Sequence, residues 1–154
     1  MGEAAANRSA CPLQGLTALV VEDHPDSRDA LRQVLASAGA EVIEVEDGHR
    51  ALQVLAATRI DVVLCDLRMP HVDGFEFMRR FRGGWPRTPA PVIAVTALGD
   101  GLAVLRETRA AGFDAHLAKP FDFDALIGAV ARVTGRPSPA ESTSPPRRAS
   151  RRRR

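Results

Sequence analysis

Short apolar runs alternate along this chain with longer stretches in which apolar residues recur every three or four positions. Leu19-Val20-Val21 reads as a buried strand ending at Glu22-Asp23. Pro25 then opens a helix where its missing N–H costs nothing, with Ala30, Leu31, Val34, Leu35 and Ala38 as the inner stripe and Gly39 as the stop. Glu41 to Val45 mixes polar and apolar residues, as an edge strand does, and a helix from Gly48 buries Ala51, Leu52 and Leu55. Val62 to Cys65 is apolar throughout, the signature of a central parallel strand covered on both faces. A third helix starts near Asp73 and buries Phe75, Met78 and Phe81. Turn-rich Gly83-Gly84-Trp85-Pro86 and Pro89-Ala90-Pro91 lead to a fourth strand, Val92 to Val95, ending at Thr96. The fourth helix, Gly101 to Ala111, is the least amphipathic. A short fifth strand at Ala115 to Ala118 ends in Lys119-Pro120, and Asp122 caps a last helix that buries Leu126, Ile127 and Val130.

Five repeats of strand then helix predict an α/β fold with a parallel sheet and right-handed crossovers. The 154 residues fit one domain, and 45% hydrophobic with 26% charged residues is an ordinary globular balance. No apolar run approaches the roughly 20 residues of a membrane span. Met1 to Gln14 lacks the layout of a signal peptide, so residues 1–15 are expected to form a loose leader. Two cysteines, Cys11 and Cys65, make neither a disulfide framework nor a metal cluster, which suits a reducing cytoplasm.

Charge divides the chain further. Residues 134–154 hold seven Arg against Glu141 alone, a charge of +6, which leaves −4 on the remainder of a chain whose net charge is +2. With little to bury, 134–154 is expected to be a disordered basic tail behind a domain at 16–133. Such a run is either simply solvated or binds nucleic acid, acidic protein or anionic membrane.

The strand ends carry the chemistry. In a doubly wound sheet, ligands gather beyond the carboxyl ends of the strands. This chain places Glu22 and Asp23 after the first strand, Asp66 after the third, Thr96 after the fourth and Lys119 after the fifth. Three carboxylates crowded together raise one another's pKa unless a cation intervenes. Oxygen ligands without His or Cys select Mg²⁺, and the expected chemistry is phosphoryl transfer to a carboxylate.

The stretches VVEDHPDSR, VVLCDLRMPHVDGFEF, VIAVTA and AGFDAHLAKPF, in this order, resemble the receiver domain of two-component response regulators over residues 16–133. The D-x-x-M-P-x-x-D-G run is the most specific of them. The resemblance implies a flavodoxin-like, doubly wound five-stranded parallel sheet of order 2-1-3-4-5 with five helices. It makes Asp66 the phosphoacceptor for a histidine kinase or phosphotransfer protein. Asp23 would bind Mg²⁺ directly, Glu22 through water, and the carbonyl of Arg68 would complete the protein ligands. Lys119, before a cis Pro120, would pair with the phosphoryl group, and Thr96 would swing toward it. Output would pass to a downstream protein through the face of helix four, strand five and helix five.

The chain departs from the family pattern at a few positions. Glu22 stands where Asp is commoner. His116 replaces the usual Tyr or Phe of the switch and is expected to tune it, with a charge that changes near neutrality. Arg68 and Leu98 flank the water route to the phosphoryl group and are expected to set its lifetime.

Plainer roles are expected for other conspicuous residues. Asp73-Gly74 reads as ordinary helix capping and Pro70 as loop shaping. Cys65, Met69 and Met78 read as packing residues, Trp85 as a small hydrophobic pin, and His24, His49 and His71 as surface residues. An aspartyl-phosphate phosphatase needs a second acid two residues after Asp66, where this chain has Arg68, and no Gly-rich nucleotide motif is present. The reading is therefore a stand-alone phosphoacceptor switch, resembling the chemotaxis regulators, and not a turnover enzyme. Its alternatives are a receiver from a hybrid histidine kinase, or a binding module that works without phosphorylation and contacts nucleic acid or acidic partners through its basic tail.

Overall fold

A computed structural model describes residues 11–69, 72–84, 89–97 and 101–137. Five strands, β1 (Thr17–Val21), β2 (Glu41–Val45), β3 (Val62–Cys65), β4 (Val92–Thr96) and β5 (Ala115–Ala118), pair in parallel in the order β2-β1-β3-β4-β5. Between and after them run α1 (Pro25–Ser37), α2 (Gly48–Ala57), α3 (Gly74–Arg82), α4 (Leu102–Ala111) and α5 (Phe123–Val133). This is the flavodoxin-like, doubly wound α/β fold expected from the alternating pattern.

The unbroken apolar runs have a simple cause. Leu19, Val21, Val63, Cys65, Val92 and Ala94 face a cluster built with α2 and α3, while Ala18, Val20, Val62, Leu64, Ile93 and Val95 face one built with α1 and α5. Both faces of the central strands are thus dry, and period-2 alternation disappears from the sequence. Edge strands β2 and β5 keep half-exposed residues.

Most helix stripes are as expected, with two corrections. In α1, Ala30 is exposed and Val34 half-buried, and Leu31 and Leu35, with Ala38 just past the helix end, carry the burial. In α3 the buried residues are Phe77, Met78 and Phe81, while Phe75 is only half-buried and meets Phe113 edge-on at 6.2 Å. The nine-residue α3 is capped by Asp73 as expected, its Oδ1 accepting from Glu76 N at 2.8 Å, and Phe77, Met78 and Phe81 share the inward face while Phe75 points to its flank. The weak pattern of α4 is real: Thr108 is its buried residue, and Leu102 and Leu105 stay exposed.

Part of the expected leader belongs to the body. Leu13 and Leu16 are fully buried, Leu13 N donates to Ala38 O at 2.8 Å, and Arg136 Nη1 donates to Gln14 O at 2.9 Å and Pro12 O at 3.3 Å. Cys11 to Gly15 therefore folds against the α1–β2 turn, and the start of the expected tail staples it there. The reason is apolar burial: a single leucine in a polar leader has no periodicity to announce it. Leu13→Ala is expected to destabilise the chain by about 2–5 kcal/mol in urea unfolding. A change below the error of that measurement would show that the segment adds nothing. Met1 to Ala10, Pro70, His71, Trp85, Leu98 and 138–154, with most of the Arg-rich tail, lie outside the described residues.

Candidate functional site: an acidic cluster at the strand ends

β1 sits between β2 and β3, so the chain leaves it in one direction for β2 and returns on its other side as β3. The crevice at this reversal is where Glu22, Asp23 and Asp66 emerge. Asp66 N donates to Val21 O at 3.0 Å, which locks the end of β3 against the end of β1. Ligand oxygens of the three carboxylates all lie within 4.8 Å of one another.

One cation of the protein already reaches the cluster. Lys119, just beyond β5, places Nζ 2.8 Å from Glu22 Oε2 and 3.7 Å from Asp66 Oδ2. The Lys119–Pro120 peptide bond is cis, as the family resemblance implied. Glu22 is 1% exposed; its Oε1 accepts from His24 N at 3.2 Å. Burial holds the Glu22 carboxyl above its usual pKa, and the neighbouring Asp66 charge adds to this, while the Lys119 hydrogen bond and charge oppose it. Around the cluster, three carboxylates face the single ammonium of Lys119 among the described residues. The all-oxygen donor set, with ligand atoms within 4.8 Å of one another, fits a hard divalent cation.

The other expected residues fall as follows. Thr96 ends β4, is 1% exposed, and accepts Lys119 N on its carbonyl at 2.9 Å. Arg68 is exposed, and its N–H donates to Asp66 Oδ1 at 3.2 Å. His116 stands on β5 opposite Ala94. It lines a cleft of about 630 Å³ along β5, between α4 and α5, with Leu102, Leu105, Arg106, Arg109 and Arg132. His24 and His49 are exposed; His24 also caps α1, its Nδ1 accepting from Ser27 N at 3.5 Å.

Cys65, Met69 and Met78 are packing residues, as expected. Burial pushes the Cys65 thiol well up, with the nearby carboxylates adding to it. A raised pKa means less thiolate at any pH below it, so native Cys65 is expected to resist iodoacetamide at pH 8 and to react once urea exposes it. Peptide mapping that found Cys65 alkylated in the native chain would contradict its burial.

Gly74 carries more than a capping role. A Cβ there would lie 2.5 Å from Asp66 O and 2.9 Å from Leu67 Cα, and Gly74 N donates to Leu67 O at 3.2 Å. The start of α3 rests directly on the backbone that presents Asp66. The D-G pair was visible in the sequence, but the contact was not. Arg28, whose Nη1 donates to Glu22 O at 3.0 Å and Asp23 O at 3.5 Å, was likewise missed; its place five residues after Asp23 is a weak signal.

The doubly wound sheet thus gathers three carboxylates and an amine at its carboxyl edge, where proteins of this class bind their ligands. Residues 18–131 match the response regulator receiver domain family, and the chain belongs to it. It is 36% identical over 114 residues to the DNA-binding transcriptional regulator NtrC of Escherichia coli K12, covering 74% of this chain and 24% of that protein. The chain thus spans about a quarter of the length of that relative. Protein PilG of Pseudomonas aeruginosa is 31% identical over 116 residues, covering 75% of this chain and 85% of PilG. The receiver domain of the sensor histidine kinase PA1611 from the same species was solved with a magnesium ion coordinated in its active-site cleft. It superposes with a TM-score of 0.70 at 35% identity, over 79% of this chain and 98% of that one. The chain is a receiver domain of the two-component type, and a binding module independent of phosphorylation is not the favoured reading.

Proposed function

We propose that Asp66 is the phosphoacceptor of this receiver and takes its phosphoryl group from a histidine kinase or phosphotransfer protein. The observation that supports this is the convergence on one carboxylate: Glu22 and Asp23 within 4.8 Å and Lys119 at 3.7 Å. In the transfer, an Asp66 oxygen attacks phosphorus, the bond from phosphorus to the donor breaks, and the donor leaves with that electron pair. Lys119 meets the charge on the equatorial oxygens, and Thr96, after a swing of its side chain, donates to one of them.

Asp23, Asp66, the Arg68 carbonyl and, through water, Glu22 are the proposed holders of Mg²⁺. Bound there, the ion would neutralise phosphoryl oxygens. The PA1611 receiver domain, with magnesium coordinated in its own active-site cleft, supports that choice of metal. The domain acts as a switch and not as a turnover enzyme on an outside substrate.

Output is proposed to pass through the surface of α4, β5 and α5. There Leu102 and Leu105 are exposed beside the cleft that His116 lines. Phosphorylation shifts a two-state equilibrium of this surface, and His116 tunes it. A cytoplasmic location goes with this reading, and among the described residues no helix is long and apolar enough to cross a membrane. The test is intact-mass analysis after incubation with acetyl phosphate, with and without Mg²⁺. An adduct that forms equally well without Mg²⁺ would refute the cation-dependent chemistry.

A further inference from the structure

Glu22 and Asp23 hang on the short link between β1 and α1, and their carboxylates can serve a cation only if that link holds still. Its backbone groups can be followed one by one. Glu22 N donates to Val45 O at 3.2 Å, His24 N donates to Glu22 Oε1 at 3.2 Å, and His24 O accepts from Arg28 N at 3.0 Å. The carbonyls of Glu22 and Asp23 both meet one group, Arg28 Nη1, at 3.0 and 3.5 Å. Arg28 sits one turn into α1, half-buried, on a helix whose first residue is Pro25.

The choice of partner is unusual. A guanidinium ordinarily pairs with a carboxylate where one is in reach, often bidentate. Among the described residues Arg28 forms no ion pair with any acid, and the Asp23 carboxylate receives no hydrogen bond. Arg28 grips the backbone that carries the acids and leaves the Asp23 oxygens uncommitted. Small hard cations such as Mg²⁺ tolerate little error in ligand placement. Groups that orient ligands without touching the metal typically account for about 10- to 100-fold in affinity.

We propose that Arg28 is a positioning residue for the cation site: by clamping the carbonyls of Glu22 and Asp23 it fixes the link in the shape that sets the Asp23 carboxylate beside Asp66. Two effects oppose each other when Arg28 is removed. Its positive charge no longer repels an incoming cation, which favours binding, and the link loosens, which disfavours it. Screening weakens the first in a half-exposed setting, so the second wins.

The experiment is titration of the full chain with MgCl₂ by calorimetry, and with Mn²⁺ by electron paramagnetic resonance. Unfolding is measured separately in EDTA. Arg28→Ala is expected to weaken Mg²⁺ binding about tenfold. Arg28→Lys, which keeps the stem and the charge and can reach one carbonyl, should recover part of that loss, and it decides the matter alone if the alanine variant does not fold. Amide exchange at Asp23 and His24 should quicken in both. A lower unfolding midpoint with wild-type Mg²⁺ affinity would make Arg28 an ordinary structural residue and overturn the proposal, as would tighter binding, which would mean that charge repulsion is the larger effect. The inference rests on the cation reading of the cluster. Wild-type chain that binds no Mg²⁺ would defeat that reading itself, whereas normal wild-type binding with unaltered variants would defeat only the role of Arg28.

Discussion

Asp66→Asn is expected to take up no phosphoryl group from acetyl phosphate under conditions in which the wild-type chain gains one. The reason lies in the nucleophile. An ionised carboxylate oxygen can attack phosphorus and hold it as an acyl phosphate, and a neutral amide oxygen at the same point is a far weaker nucleophile. The substitution is close to isosteric, and the amide oxygen can still accept from Arg68 N, which now lies 3.2 Å from Oδ1. The Glu22–Lys119 pair at 2.8 Å is left in place, and one member of a crowded acid group loses its charge. Stability should therefore stay within about 1 kcal/mol of wild type. The measurement is intact mass, with acid and base treatment of the product: an acyl phosphate survives acid and is lost in base. An adduct of undiminished yield on Asp66→Asn would move the phosphoryl group to another residue and end the assignment of Asp66.

The second large effect is expected from Gly74→Ala, one methyl group added at a residue that performs no chemistry. The new Cβ would stand 2.5 Å from Asp66 O and 2.9 Å from Leu67 Cα, both backbone atoms that cannot rotate away as a side-chain tip can. Either α3 lifts off the end of β3 or the Asp66 peptide shifts. The first loosens the packing of Phe77 and Met78, both fully buried, and the second moves Asp66, the proposed nucleophile, relative to Lys119. Overpacking of this kind costs about 1–3 kcal/mol, and displacement of a reacting group by about 1 Å can cost as much as 100-fold in rate. Urea unfolding and the rate of labelling by acetyl phosphate should thus both suffer. Wild-type values in both would show that the turn from β3 to α3 absorbs the methyl group and that Gly74 is only the residue after a cap.

The two variants also separate what was legible in the sequence from what was not. Asp66 stood out because a lone acid closed an entirely apolar strand, and burial of a charge demands partners. Gly74 did not stand out, because D-G at a helix start is fully explained by capping. Arg28 was hidden in the same way: on α1 it looks like any polar residue of a solvated face, and its bonds run to backbone carbonyls that no side-chain pattern reveals. Leu13 was hidden by isolation, since one apolar residue has no period. The Phe75 and Phe77 exchange was open because residues two apart point to nearly opposite sides of a helix, about 200° around its axis, and only packing against the sheet decides which is buried.

By itself the sequence determined the number, order and type of the elements, since apolar periodicity, caps and breakers are local properties that each segment carries with it. It also determined which residue types reach the rim, because a strand's last residue must emerge at its carboxyl end. Distances across the rim were decided only by the tertiary structure. That the amine of Lys119 lies nearer to Glu22 than to Asp66, that Arg28 holds the link beneath the acids, and that α3 rests on the Asp66 peptide follow from how strands far apart in the chain are brought into register and how closely their backbones pack. Those are non-local quantities, fixed by the burial of the whole core, and no stretch of the chain carries them alone.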